Sequence, residues 1–314
     1  MDLSVNICGI QCQSPVAMAS GNAGYGIEYP SVYGFSNKDV GAVFLKGTTL
    51  QPKLGNKPER VMESPSGLLN SIGLQNPGAH EVIAKYLPQL NLDETRYIIN
   101  VSGSSIEEYA QVVRLFDQTS LPAMEINISC PNVKKGGAAF GNDPDMAARV
   151  VEACRAETSK PLIVKLSPNQ TDIAEGARRV IDAGADALSA INTLMGMQIS
   201  IQTQKPTLGN NQGGLSGPAI KPIALLKVHQ VYQVAKQHNI PIIGLGGIAC
   251  AEDAIEFFLA GASMVAIGTA IAKDPLIVKK VNQGIAKYLQ QHNLQSVSEL
   301  TGKLQLNTDT VLCG

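Results

Sequence analysis

Residues 241–270 read PIIGLGGIACAEDAIEFFLAGASMVAIGTA. A short apolar run, 241–245, ends at Gly246-Gly247, and an amphipathic stretch, 251–259, follows it. The junction Ala260-Gly261-Ala262-Ser263 leads into a second apolar run, 264–268, which ends at Gly268-Thr269. Short apolar runs of this length separated by a helical pattern are the mark of buried parallel strands joined by covering helices. Outward from this unit the same junction recurs at Ala183-Gly184-Ala185-Asp186, where Gly184 suits the left-handed residue that closes a helix. Six further runs are legible, at 15–20, 42–46, 97–101, 123–128, 162–166 and 187–192. Helical patterns lie at 106–118, 143–157, 171–183, 220–238, 251–259 and 275–291. Two of them start with capping signals, Ser105 with Glu108 and Asp143 with Pro144. Eight strands alternating with helices close a barrel. The expected fold is therefore α/β, a (β/α)8 TIM barrel. No linker divides the chain, so residues 1–314 read as one domain.

Three connections, 48–79, 129–142 and 193–219, are too long to be simple turns. They leave the C-terminal ends of the second, fourth and sixth runs, which predicts long functional loops over that face of the barrel.

Composition narrows the function classes. With 25 basic and 26 acidic residues the net charge is -1, which provides no general field for nucleic acid or an anionic membrane. No apolar run approaches the roughly 18 residues of a membrane span, and Met1-Asp2-Leu3-Ser4 carries no basic leader, so a cytoplasmic protein is expected. The cysteines, Cys8, Cys12, Cys130, Cys154, Cys250 and Cys313, are too sparse for a disulfide framework. Cys8 and Cys12 form one isolated pair, so no metal or iron–sulfur cluster is expected in this chain.

The active site of such a barrel lies where strands end. The ends are Ser20-Gly21, Lys46-Gly47, Asn100, Asn127, Lys165, Asn192-Thr193, Gly246-Gly247 and Gly268-Thr269. Polar residues are common where strands meet water, yet two lysines, three asparagines and two glycine-bearing ends make a coherent set. The last two ends allow backbone N–H groups to approach a phosphate, unless the glycines serve the turns alone. Lysines in a barrel mouth call for anionic ligands, or for Schiff-base chemistry on a phosphorylated substrate as in an aldolase-like lyase. Asparagines present both a donor and an acceptor, which suits a pyrimidine or a flavin ring. Cys130, just beyond the fourth end, could exchange a proton with a reacting carbon or be an inert buried thiol. Cys154 and Cys250 fall in helical patterns and read as inert.

Longer motifs carry a resemblance. They are Ala19-Ser20-Gly21, Leu45-Lys46-Gly47-Thr48-Thr49, Leu69-Asn70-Ser71-Ile72-Gly73-Leu74-Gln75-Asn76-Pro77-Gly78, Glu125-Ile126-Asn127-Ile128-Ser129-Cys130-Pro131-Asn132-Val133, Val164-Lys165-Leu166-Ser167-Pro168-Asn169, Ile191-Asn192-Thr193 and Gly213-Gly214-Leu215-Ser216-Gly217-Pro218. With these, essentially the whole chain resembles the class 1 dihydroorotate dehydrogenases. The resemblance implies an FMN-binding catalytic domain that oxidises dihydroorotate to orotate in pyrimidine biosynthesis. FMN would contact Ser20, Lys46, Gly47, Asn100, Asn127, Lys165, Ile191, Gly217, Gly246, Gly247, Gly268 and Thr269. Dihydroorotate would contact Lys46, Asn70, Ser71, Ile72, Gly73, Leu74, Asn127, Asn192 and Thr193, with Cys130 as the catalytic base. Leu166-Ser167-Pro168-Asn169 and Gly73-Leu74-Gln75-Asn76-Pro77-Gly78 look like the NAD-linked class 1B rather than the fumarate-linked class 1A. Class 1B implies a partner subunit carrying FAD and a 2Fe–2S cluster, assembled as two catalytic and two electron-transfer subunits around a catalytic homodimer. Cys130 and the absence of an N-terminal membrane-binding extension argue against the quinone-linked class 2.

Overall fold

The computed structural model describes residues 2–128 and 140–307. Eight parallel strands lie in it: β1 (Val16–Met18), β2 (Ala42–Phe44), β3 (Arg96–Val101), β4 (Met124–Asn127), β5 (Leu162–Lys165), β6 (Ala187–Ala190), β7 (Ile242–Leu245) and β8 (Met264–Ile267). They close in chain order, β8 pairing back onto β1 through Val265 with Val16, Ala266 with Ala17 and Ile267 with Met18. Each anticipated run overlaps one strand, and the expected TIM barrel is present.

Side chains on these strands alternate between two compartments. Val16, Met18, Val43, Ile99 and Val265 point outward into the layer beneath the helices. Ala17, Ala42, Phe44, Ile98, Ile163, Ala187, Ile243 and Met264 fill the barrel itself. Because both faces are buried, the strands read as near-continuous apolar runs, which is why they were legible. An N-terminal hairpin, Val5–Ile7 with Ile10–Cys12, adds Ile7, Ile10 and Cys12 to the inner cluster and so plugs the barrel's N-terminal end.

The covering helices are Ile106–Asp117, Pro144–Arg155, Ile173–Asp182, Lys221–Ala235, Ala251–Ala260 and Ile277–Gln291. Asp143 accepts from the N–H groups of Asp145 and Met146, satisfying orphan donors of the first turn. Ser105 accepts from Glu108 N–H, but the Glu108 carboxylate accepts from Ser104 N–H and Leu50 N–H instead of returning to Ser105. The expected capping box thus becomes a tie to the loop after β2. Helical turns at Ala79–Glu81, Val82–Tyr86 and Leu87–Gln89, and the short helix Thr269–Lys273, had no clear sequence signal. Among the described residues no helix is long and apolar enough to cross a membrane.

Two of the long connections are not irregular loops. They contribute strands to one antiparallel sheet, in the order Leu194–Gly196, Gly213–Ser216, Gly67–Asn70, Val61–Ser64. Since they leave β2 and β6 at their C-terminal ends, this sheet stands over the barrel mouth.

Candidate active site

Near the mouth the inward positions of β3 to β6 turn from apolar to polar. Asn100, Glu125, Asn127, Lys165 and Ser189 are all buried, and the strand register sets Asn100 beside Glu125, Asn127 beside Lys165, and Lys165 beside Ser189. Glu125 accepts from Asn100 Nδ2 at 2.5 Å and from Ser189 Oγ at 2.7 Å, and lies 3.8 Å from Lys165 Nζ. Asn127 Nδ2 donates to Asn100 Oδ1 at 3.4 Å, and Asn192 Nδ2 donates to Asn127 Oδ1 at 3.3 Å. A buried charge without a counter-charge would be costly, and here the two charges meet across one pair of neighbouring strands. Asn100, Asn127, Lys165 and Asn192 were expected in the site. Glu125 was not given a role, although its place two residues before Asn127 puts both on the same face of β4.

Lys46, just past β2, donates its backbone N–H to Gly24 O at 2.7 Å. Burial pushes its ammonium below the ordinary lysine range, an effect partly opposed by the Glu28 carboxylate. Among the described residues no acceptor lies within hydrogen-bond or ion-pair reach of the Lys46 ammonium, so this half-buried cation is equipped to receive an anion. Gly47 backs onto Asn100, whose Oδ1 would lie 2.9 Å from any Cβ placed there. Ser20 is buried at the end of β1.

The segment Asn70 to Leu74 reaches this centre through the sheet. Asn70 Nδ2 donates to Gly214 O at 3.2 Å, and a Cβ on Gly214 would strike Thr193 Oγ1. Asn192 Oδ1 accepts from Thr193 N–H at 2.8 Å. Ser71 is fixed by Asn56 Nδ2, which donates to its hydroxyl at 2.8 Å, and Ile72 O accepts from Asn56 N–H. Gly73 turns with φ 74°. Leu74 carries its methyl groups to within 3.3 Å of the Gly47 Cβ position. Asn70, Asn127, Asn192 and Thr193 thus belong to one connected group, although Asn70 and Gly214 stand 144 residues apart in the chain.

The glycine-bearing ends of β7 and β8 form a cradle beside it. Gly247 has φ 86°, and a Cβ there would meet Lys221 Cβ at 2.8 Å and Gly217 O at 2.9 Å. Only glycine fits both that conformation and that approach. Thr269 Oγ1 donates to Ser216 Oγ at 2.8 Å, holding the start of the Thr269–Lys273 helix to the overlying sheet. Ile191 donates its N–H to Leu245 O, and its side chain packs 3.4 Å from the Gly246 Cβ position. Gly268 lies between Ala19 and Asn22, with its Cβ position in ordinary contact. A cradle of half-buried glycine backbone next to buried amides and a half-buried lysine fits a phosphate-bearing ring cofactor.

Burial pushes the thiols of Cys8 and Cys154 up to about 12 and those of Cys12 and Cys250 up to about 11. None of them is a ready proton acceptor at neutral pH. Cys250 sits at the N-cap of Ala251–Ala260 rather than within the helix. Cys130, the expected base, lies outside the described residues.

Residues 2–289 match the family model described as dihydroorotate dehydrogenase. The chain belongs to the dihydroorotate dehydrogenase family. It is 50% identical over 307 residues to a protein of Desulforamulus reducens named the catalytic subunit of dihydroorotate dehydrogenase B (NAD(+)), covering 98% of this chain and 99% of that one. Proteins of the same name from Bacteroides thetaiotaomicron and Anoxybacillus flavithermus are 48% and 47% identical, covering 97% and 99% of this chain and 99% of each relative. The resemblance to class 1B is therefore sustained over the full length. A crystal structure of the dihydroorotate dehydrogenase of Eimeria tenella in complex with ferulenol superposes with a TM-score of 0.78 at 21% identity, covering 96% of this chain and 88% of that one, and shows the shared fold. Membership of a dehydrogenase family sets aside the Schiff-base lyase reading of Lys46 and Lys165.

Proposed function

We propose that this chain is the catalytic subunit of an NAD-linked dihydroorotate dehydrogenase, oxidising dihydroorotate to orotate in pyrimidine biosynthesis with FMN in the barrel mouth. The observation that carries this reading is the connected polar group Lys165, Glu125, Asn100, Asn127 and Asn192 beside the half-buried Lys46 and a glycine cradle. Gly217, Gly246, Gly247, Gly268 and Thr269 hold the phosphate, and Ser20, Lys46, Gly47, Asn100, Asn127, Lys165 and Ile191 hold the ring. Bound FMN supplies an acceptor for the hydride that leaves carbon 6 of dihydroorotate. Cys130 takes the proton from carbon 5. Asn70, Asn127 and Asn192 offer amide donors and acceptors to the substrate's carboxylate and ring edges, with Ser71, Ile72, Gly73, Leu74 and Thr193 shaping the enclosure. The Lys46 ammonium favours negative charge developing beside it.

The relatives' names combine "catalytic subunit" with NAD(+), which supports a partner that passes electrons onward. We assign FAD and a 2Fe–2S cluster to that partner, in an assembly of two catalytic and two electron-transfer subunits located in the cytoplasm. The protein should purify yellow and be bleached anaerobically by dihydroorotate. Cys130→Ala should keep its flavin and lose at least ~100-fold in the rate of that bleaching. Colourless protein, or an unchanged rate in the variant, would overturn the cofactor or the base respectively.

A further inference from the structure

Binding and proton removal provide no task for Glu125 or for Ser189, which donates to it. The Glu125 side chain is inside the barrel with 2% exposure. The carboxylate accepts hydrogen bonds from Asn100 and Ser189 and faces the Lys165 ammonium at 3.8 Å as an ion pair, so it ties together residues of three other strands. A carboxylate can only accept, so Asn100 must turn its NH2 toward Glu125 and its Oδ1 the other way. That oxygen accepts from Asn127, whose own Oδ1 accepts from Asn192. At the far end Asn192 Oδ1 accepts from the backbone N–H of Thr193, a group that can only donate. Reversing any one amide would set two donors or two acceptors face to face inside a buried site, which is expensive. The direction of all three amides is therefore pinned between an obligate acceptor at one end and an obligate donor at the other.

We propose that Glu125 is a positioning residue for dihydroorotate oxidation: its carboxylate fixes Lys165 and sets the direction of the amide chain Asn100, Asn127, Asn192, so that each amide presents one defined edge to ligand. This rests on the substrate reading given above. It assigns to Glu125 control over a residue it does not touch, since Asn100 and Asn127 stand between it and Asn192 in the chain of described hydrogen bonds. Glu125→Gln keeps the shape, removes the charge, and replaces the obligate acceptor with a group that can also donate. The end of the chain is then no longer pinned.

The test is orotate binding to the purified flavin-loaded protein, followed by the perturbation of the flavin spectrum, in a double-mutant cycle of Glu125→Gln and Asn192→Ala. Glu125→Gln should melt at a lower temperature, because buried Lys165 loses its counter-charge, and the fraction that keeps FMN should bind orotate at least ~10-fold more weakly, as expected for loss of a hydrogen bond to a charged group. The double variant should be little weaker than the weaker single variant, because both changes act on one chain. Ser189→Ala, which removes only one donor to Glu125, supports the same cycle if Glu125→Gln fails to fold, with the same non-additivity and a smaller loss. Unchanged orotate affinity in Glu125→Gln, or losses that simply add, would overturn the proposal while leaving the substrate reading intact. Failure of the unaltered protein to bind orotate would overturn both.

Discussion

Lys46 is held where burial works against its charge, and that tension is measurable. Its folded-state proton affinity lies below the ordinary value of 10.5, so between the two values the unfolded chain binds more protons than the folded one. Stability of the flavin-free protein contributed by this group consequently rises as pH rises through that window, and is at its lowest below it, where both states are charged. Lys46→Met should remove this increment, leaving the flavin-free protein at least as stable near neutral pH. The same change should weaken orotate by at least ~10-fold, since a charge-assisted partner is lost. Thermal melts across pH, set beside orotate titrations, test both halves; a variant that melts lower yet binds orotate normally would contradict them. Lys46 and Lys165 were readable from sequence because a lysine closing an apolar strand run is conspicuous. Glu125 was passed over because it lies inside such a run, where nothing local reveals that Lys165 on the next strand neutralises it.

Elements were legible in proportion to how locally they are specified. The barrel strands announce themselves through Val and Ile runs, and helices through caps such as Asp143 and closing glycines such as Gly184, which has φ 103°. The sheet over the mouth does not. Gly67–Asn70 and Gly213–Ser216 are glycine-bearing and short, and they pair with each other over a separation of 144 residues at Asn70 and Gly214, so neither segment shows a strand pattern by itself. Their packing nevertheless makes distinct forecasts for two glycines. Gly247→Ala forces a side chain into a left-handed residue against Gly217 O and Lys221, and should cost about 1–3 kcal/mol of stability together with flavin retention. Gly214→Ala drives into the Thr193 side chain as far as its Cβ, at 2.6 Å; flavin should stay bound while orotate weakens as Thr193 is displaced. Flavin content after gel filtration, with orotate titration of whatever remains loaded, separates the two. Equal flavin loss from both variants would show that the cradle and the substrate sheet are not separate elements.

At the scale of the whole molecule the barrel divides into a chemical end and a supporting end. The C-terminal mouth gathers buried polar groups, glycines and a destabilised lysine. The N-terminal end is closed by the hairpin, whose Ile7 is 2% exposed and packs with the inner apolar cluster. Conserving chemistry while altering stability should therefore be possible from below. Ile7→Ala removes buried methyl and methylene groups and leaves a cavity under the barrel, a change expected to cost about 2–5 kcal/mol. Ile98, Ile163 and Ala187, which share the inner cluster with Ile7, each lie two residues before a polar group of the site, Asn100, Lys165 and Ser189, on the N-terminal side of it. Denaturant unfolding should register the full loss, while orotate affinity and the rate of flavin reduction by dihydroorotate stay within about twofold, as expected where additivity holds between distant sites. A matching fall in orotate affinity would mean that the packing of the inner layer transmits strain to Asn100 and Glu125, and that the two ends of this barrel are mechanically one.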